Sequence, residues 1–352
     1  VFFFNGQLIP SKVCLANGEV KRVRSYELMN LNTWLPCSCA RIELFGAVTC
    51  GGSLRKFSGS VVLIIIYLMS SVTAYAASTG KVSSNKGGAS SSDIKASNNQ
   101  IGYQSISTLV NYTETGGKYG VAAGTLDTET GPVPGRAFYF SSMTNGLLGN
   151  DYFKGTYDQS IGSTKYTGAN LNLPNGPPGA FGSVVSTSGA ILTNYNFRYG
   201  KGLDFRRASM LTPYVEFGAH RWQRAVNYGE TYSNMYYGFG LLNQLVVGNH
   251  LVLSLDVLAG HTKGSTITVT SSPPGVPLTS KVTGFSAPLG DSELFKVGVS
   301  LDYTLGQRFH VNAGVDYTAF NYGVSAVQPG GLFEPDSQTK NTTFKFGLGW
   351  GF

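Results

Sequence analysis

Charge is scarce in this chain: Lys, Arg, Asp and Glu together make up 13% of its 352 residues. Cysteine is confined to Cys14, Cys37, Cys39 and Cys50, so everything after residue 50 lacks a disulfide framework. Cys37-x-Cys39 has the look of half a metal site, but no further Cys or His follows at ligand spacing. Histidine is limited to His220, His250, His261 and His310, of which His250 and His310 fall beside short turns and read as structural. Neither HExxH, GxSxG nor a Gly-rich phosphate loop occurs, so neither cofactor nor metal is expected. The longest uninterrupted apolar core, Val61 to Leu68, is well short of the ~20 residues that a membrane-spanning helix needs.

What is abundant is Gly (46), Tyr (20) and Phe (21), material for many strands and tight turns, and an all-β fold is expected. The run from Leu54 to Ser78 has Arg55 and Lys56, then the apolar core, then small residues, which is the layout of a secretory signal peptide. Ala74 and Ala76 set the cleavage site, with Ala77 first in the exported chain. Residues 1–53 are then read as a doubtful extension ahead of a start near Leu54, 54–76 as the signal peptide, and 77–117 as a flexible Ser/Gly-rich periplasmic segment. The barrel is expected over 118–352. Residues 1–76 carry seven of the 26 basic and three of the 19 acidic residues, so their removal lowers the net charge from +7 to +3. No electrostatic case for nucleic acid survives that removal.

Ten alternating segments follow, at 118–129, 136–144, 151–161, 189–199, 211–223, 235–246, 250–263, 293–305, 309–323 and 342–352. Each is close to the ~9–11 residues of a tilted bilayer-crossing strand. The gaps between them alternate: 162–188, 224–234, 264–292 and 324–341 are long, whereas 247–249 and 306–308 are short. Long connections on one side and short turns on the other is the pattern of an outer-membrane barrel. The first hairpin is the exception, with the short TGPVPG, 130–135, on the long-loop side. Facing agrees with the pattern. Phe295, Val297, Val299, Leu301, Tyr303 and Leu305 share one parity, while Lys296, Gly298, Ser300, Asp302 and Thr304 share the other. Such a two-faced strand suits lipid outside and a shared polar interior within. The expectation is a closed antiparallel transmembrane β-barrel of about ten strands, with eight or twelve as alternatives.

The chain ends FKFGLGWGF, with Phe344, Phe346, Leu348, Trp350 and Phe352 on one face and Lys345, Gly347, Gly349 and Gly351 on the other. Here it resembles the bacterial outer-membrane β-barrel proteins, whose last strand ends in Phe and carries alternating aromatic and apolar residues. The resemblance implies outer-membrane lipid as surroundings, Sec export, and recognition of those five residues by the barrel-assembly machinery. Phe352, Trp350, Tyr303 and Phe309 fall where an aromatic girdle belongs. The function expected is non-enzymatic: structural, small-pore (porin-like) or binding an extracellular ligand through the outer loops.

The alternative is an outer-membrane hydrolase. An omptin-like protease has ten strands with acidic residues and a His at the outer rim, which Asp127, Glu129 and His220 approach. Ala219, Arg221 and Trp222 around His220 break that family's pattern. A lipid A or phospholipid hydrolase needs Ser, His and a carboxylate on the lipid-facing surface, and His261 with Ser265 is the one candidate pair. In the lumen, Glu216, Asp256, Lys296, Asp316 and Lys345 fall at inward parity. Charges of both signs in a narrow barrel are expected to pair and fill it, with Asp316 shared between Lys296 and Lys345.

Overall fold

Alternation becomes strand throughout the computed structural model, which describes residues 91–119, 121, 123–169, 180–206, 208–274, 283–328 and 332–352. The doubtful extension, the signal peptide with Ala74, Ala76 and Ala77, and residues 77–90 lie outside the described residues. A short helix, α1 (Ser91–Ser97), is followed by β1 (Gln100–Thr115), β2 (Thr125–Gly146), β3 (Gly149–Gly168), β4 (Val184–Arg206), β5 (Ser209–Arg224) and β6 (Glu230–Gly248). Then come β7 (Leu251–Val269), the four-residue β8 (Phe285–Pro288), β9 (Glu293–Leu305), β10 (Phe309–Tyr322) and β11 (Asp336–Gly351). Neighbouring strands pair antiparallel, β9 passes over β8 to pair with β7, and β11 returns to β1, closing a ten-strand wall with β8 added on the outer end of β7. Closure leaves no edge, which a lipid-immersed sheet requires. Among the described residues no helix is long and apolar enough to cross a membrane; the crossing elements are strands.

The number ten is reached by a different route from the one the sequence suggests. Segments 118–129 and 136–144 are one strand, β2, with TGPVPG running through it. Two prolines are tolerated there because the β2–β3 ladder is interrupted: pairing stops at Thr130 with Lys165 and resumes at Gly135 with Ser160. Proline's missing N–H therefore leaves no gap in an otherwise complete ladder. The strand that restores the count is β1, inside the stretch expected to be flexible, paired to β11 from Gln100–Gly351 to Thr115–Asp336. The barrel thus begins at residue 100 rather than 118, and the short outer hairpin disappears, since β1 and β2 are joined across 116–124.

Strands extend well into the gaps expected to be long loops. β4 runs 23 residues and β2 22, about twice what a bilayer crossing needs, so the wall continues past the lipid on the outer side. Outward-facing apolar residues mark the belt: Ile101, Tyr103 and Leu109 on β1, Phe138 and Phe140 on β2, Tyr237 and Phe239 on β6, all exposed. At the short-turn end the belt finishes in aromatics. Trp350, Phe352, Tyr303 and Phe309 are exposed as expected, and Phe352 stacks on Phe140 with ring centroids 5.5 Å apart. The Gly face of β11 is inside. A Cβ on Gly349 would lie 1.9 Å from Oε1 of Gln100, so a side chain there would displace the Gln100 amide from the wall.

Candidate functional site

The interior is organised in three tiers. At the short-turn end, α1 lies across the mouth with Ile94 fully buried. The residues that follow tie it down. Asn98 Nδ2 donates to Gln244 Oε1 at 2.6 Å, and Asn99 exchanges two hydrogen bonds with the Met143 backbone at 2.6 and 3.0 Å. Gln100 Nε2 donates to Asp302 at 3.0 Å and Gln100 Oε1 accepts from Tyr139 at 2.8 Å. Asp302 also meets His310 Nδ1 at 2.7 Å, which gives that buried histidine its structural role. At the rim, Lys95 donates to Asn145 at 2.8 Å. The composition of SSDIKASNNQ hides this plug because it is tied down mainly by hydrogen bonds to polar groups on the wall, with Ile94 its one large apolar side chain.

The middle tier holds the charges expected from parity. Arg198 on β4 is held between Glu216 on β5 and Asp256 on β7, the latter at 2.5 Å. Lys296 on β9 crosses to Glu216 at 2.8 Å and to the Tyr236 hydroxyl at 2.5 Å. Lys345 pairs with Asp316. The expected sharing of Asp316 between Lys296 and Lys345 is therefore corrected: Asp316 takes Lys345 alone, and Lys296 reaches across the lumen to a carboxylate no neighbouring strand provides. The cationic groups also rest on aromatic faces, Arg198 4.6 Å from the Tyr214 ring and Lys296 4.2 Å from that of Tyr236. Lys154 also lines this tier and makes no ion pair among the described residues. The space left is a cavity of about 200 Å³ lined by these groups.

Of the outer tier, the sequence expectations named only Asp127 and Glu129, as rim carboxylates, and not the arginine that gathers them. Arg224, the last residue of β5, is fully buried and faces four carboxylates: Glu129 at 2.8 Å, Glu114 at 3.1 Å, Asp127 at 3.4 Å and Glu230 at 3.6 Å. Below them Tyr232 donates to Glu334 at 2.5 Å, and Tyr112, Trp222, Tyr232 and Tyr322 form an aromatic cluster with ring centroids 4.9 to 5.9 Å apart, Trp222 stacked on Tyr232 and Tyr112 edge-on to both. These residues lie outward of Leu109 on β1 and of Met235 on β6, beyond the apolar belt. Burial, with Glu114 beside it, pushes the Asp127 carboxyl up to about 7, and burial raises Glu230 and Glu334 as well. Burial thus works against the charged forms of these carboxyl groups, while Arg224 works for them. Parity could have found Arg224 and Glu114 once β1 was recognised, since both share the inward face of their strands.

The residues considered for hydrolysis are placed apart. Asp127 and Glu129 are engaged by Arg224, while the His220 ring contacts Asn194 at 2.5 Å in the lumen, and Asn194 in turn donates to Asp158 at 2.6 Å. His261 lies opposite Tyr237 on the lipid-facing side, whereas Ser265 is buried behind a register shift and has Asp291 on its backbone N–H. Among the described residues no group of three or more His, Cys, Asp or Glu is arranged to hold a metal ion.

No protein-family model matches the sequence, and no curated protein matches it. Solved structures similar in fold include the outer membrane protease OmpT of Escherichia coli, at 9% identity over 72% of this chain and 95% of that one, with a TM-score of 0.46. Ail, the attachment invasion locus protein of Yersinia pestis, is 11% identical over 72% and 99%, with a TM-score of 0.27. The toluene transporter TodX of Pseudomonas putida is 8% identical over 72% and 90%, with a TM-score of 0.28. At these identities the likeness is one of β-barrel architecture alone.

Proposed function

We propose that this chain is a non-enzymatic outer-membrane barrel, closed through its lumen, that serves a structural or surface-binding role by holding its outer strand extensions and loops above the membrane. The observation that carries the reading is the three-tier blockage: a plug at the short-turn mouth, ion pairs spanning the middle, and the Arg224 node at the outer end. Opening such a lumen would separate buried charges from their partners, which is strongly unfavourable. Export by the Sec route, folding by the barrel-assembly machinery and residence in the outer membrane belong to the same proposal, on the strength of the barrel and its terminal strand. Against the hydrolase alternative stands the separation of His220 from Asp127 and Glu129, and of His261 from Ser265.

Planar-bilayer recording of the purified barrel tests the closed-lumen reading. The expected result is no steady conductance. Stable nanosiemens-scale steps, roughly those of an open aqueous porin, would overturn it.

A further inference from the structure

Around one ring in the outer lumen, several polar atoms are buried with nothing to bond. Tyr232, on the inward face of β6, has Trp222, Tyr112 and Tyr322 at centroid distances of 5.6, 5.9 and 5.2 Å, and its hydroxyl donates to Glu334 Oε1. Trp222 Nε1, the Tyr322 hydroxyl and Glu334 Oε2 have no hydrogen-bond partner among the described residues. The same is true of Nδ2 and Oδ1 of Asn234, two residues along β6 on the same face. All four side chains are buried, Asn234 at 4% exposure being the least so. A buried donor or acceptor left unmade is costly, and native interiors hold few of them. Five such atoms grouped about one ring are too many for packing accidents.

Charge points the same way. Glu114, Asp127, Glu129 and Glu230 gather on Arg224, the one cation of this tier among the described residues. Glu334 stands outside that set and makes no ion pair among the described residues; both tyrosine hydroxyls that reach it, Tyr232 at 2.5 Å and Tyr112 at 3.5 Å, go to the same oxygen. Its place inside is fixed by the backbone, whose N–H donates to Ser325 Oγ at 2.8 Å and whose carbonyl accepts from the Ser325 N–H at 3.0 Å. An ionised carboxylate buried this deeply calls for a cation of its own. Aromatic faces suit an organic cation, as Arg224 shows by resting 4.9 Å from the Tyr112 ring and 5.9 Å from that of Tyr232.

We infer that the outer lumen binds a small hydroxylated amine of the amino-sugar class, its ammonium on Glu334 and its hydroxyls on Asn234, Trp222 Nε1 and Tyr322. An ammonium supplies the N–H donor that Glu334 Oε2 lacks. A hydroxyl both donates and accepts, which suits an amide with both atoms open beside an indole N–H that can only donate. The inference deepens the surface-binding role proposed above and rests on it: with the plug and the middle ion pairs shut, a ligand of this tier arrives from the outer side.

Isothermal titration of the full chain in detergent tests it with three probes. Glucosamine carries charge and hydroxyls, N-acetylglucosamine keeps the hydroxyls without the charge, and putrescine keeps charge without hydroxyls. Glucosamine is expected to bind roughly tenfold or more tightly than either, the least that one buried charged contact gives. Glu334→Gln should weaken glucosamine binding roughly thirtyfold or more, as for removing one partner of a buried charge pair, and Asn234→Leu by roughly tenfold. Glu293→Gln, on the exposed surface of β9, should leave it unchanged. Heat-modifiable migration on gels confirms that each variant is folded, and the comparison of probes needs no variant. Equal binding of glucosamine and either other probe, or glucosamine binding untouched by Glu334→Gln, overturns the inference. Absence of binding by a folded, non-conducting barrel also overturns it, leaving Glu334 neutralised by a proton and the closed-lumen reading intact. Steady conductance of the parent chain would remove that reading, and this inference with it.

Discussion

Glu216 holds the middle of the lumen together. It is fully buried and takes charge from both Arg198 and Lys296, whereas the Asp316–Lys345 pair is 40% and 27% exposed to the water in the lumen. Water screens the second pair, so Asp316→Ala should lower stability by less than about 1 kcal/mol. Glu216→Ala strands Lys296 on a tyrosine hydroxyl and leaves Arg198 only Asp256; the loss should be ~3 kcal/mol, near the lower end for breaking a buried pair. Urea unfolding of the two variants in the same detergent checks the order, and equal losses would mean that the lumen solvates each charge separately. Which residues point inward was legible from alternation along β5, β7, β9, β10 and β11. Who pairs with whom was not, because Lys296 and Glu216 meet across the barrel, and that distance is set by strand number and stagger rather than by any local pattern.

At the scale of the strand, legibility followed the purity of the alternation. β9 and β10 keep apolar residues on one face for nearly their whole length, and the sequence places them within a residue or two, whereas β11 does so only from Phe344 onward, and its first six residues, Asp336 to Asn341, read as loop. β1 defeats the same reading because its outward face carries Ser105 and Ser107 in mid-strand, and β2 because Pro132 and Pro134 imitate a turn. The last strand makes two separable claims. Phe352 stacks on Phe140, and its N–H donates to Asn99 at 3.2 Å, contacts worth roughly 1–2 kcal/mol together. The proposed recognition by the assembly machinery is a separate claim, since it concerns how the barrel is built rather than how stable it is once folded. Deleting Phe352 should therefore change the unfolding free energy of purified protein only slightly, while sharply reducing folded barrel in the outer membrane of producing cells. A cellular yield that falls no further than the measured stability implies would remove the recognition claim.

The whole molecule behaves as barriers in series, and this determines what any single opening can reveal. Ion flow through a lumen is limited by its narrowest point, so loosening the plug while the Arg224 node stays shut leaves conductance near zero. Access from one side is the more sensitive observable. Ser300 lines the central cavity from β9, and with Cys14, Cys37, Cys39 and Cys50 replaced by serine, Ser300→Cys introduces the sole thiol in the chain. In the closed barrel a small charged thiol reagent should label it slowly from either face. Ile94→Asp places a carboxylate where a fully buried side chain sat. Burying that charge unpaired is unfavourable enough to expel α1, and the charged reagent should then label the introduced thiol quickly from the short-turn side and still slowly from the outer side. Fast labelling from both sides would mean that the Arg224 tier is no barrier. Slow labelling from both would place the seal above the plug, in the ion pairs of the middle tier, and Glu216→Ala in the Ile94→Asp background should then admit the reagent.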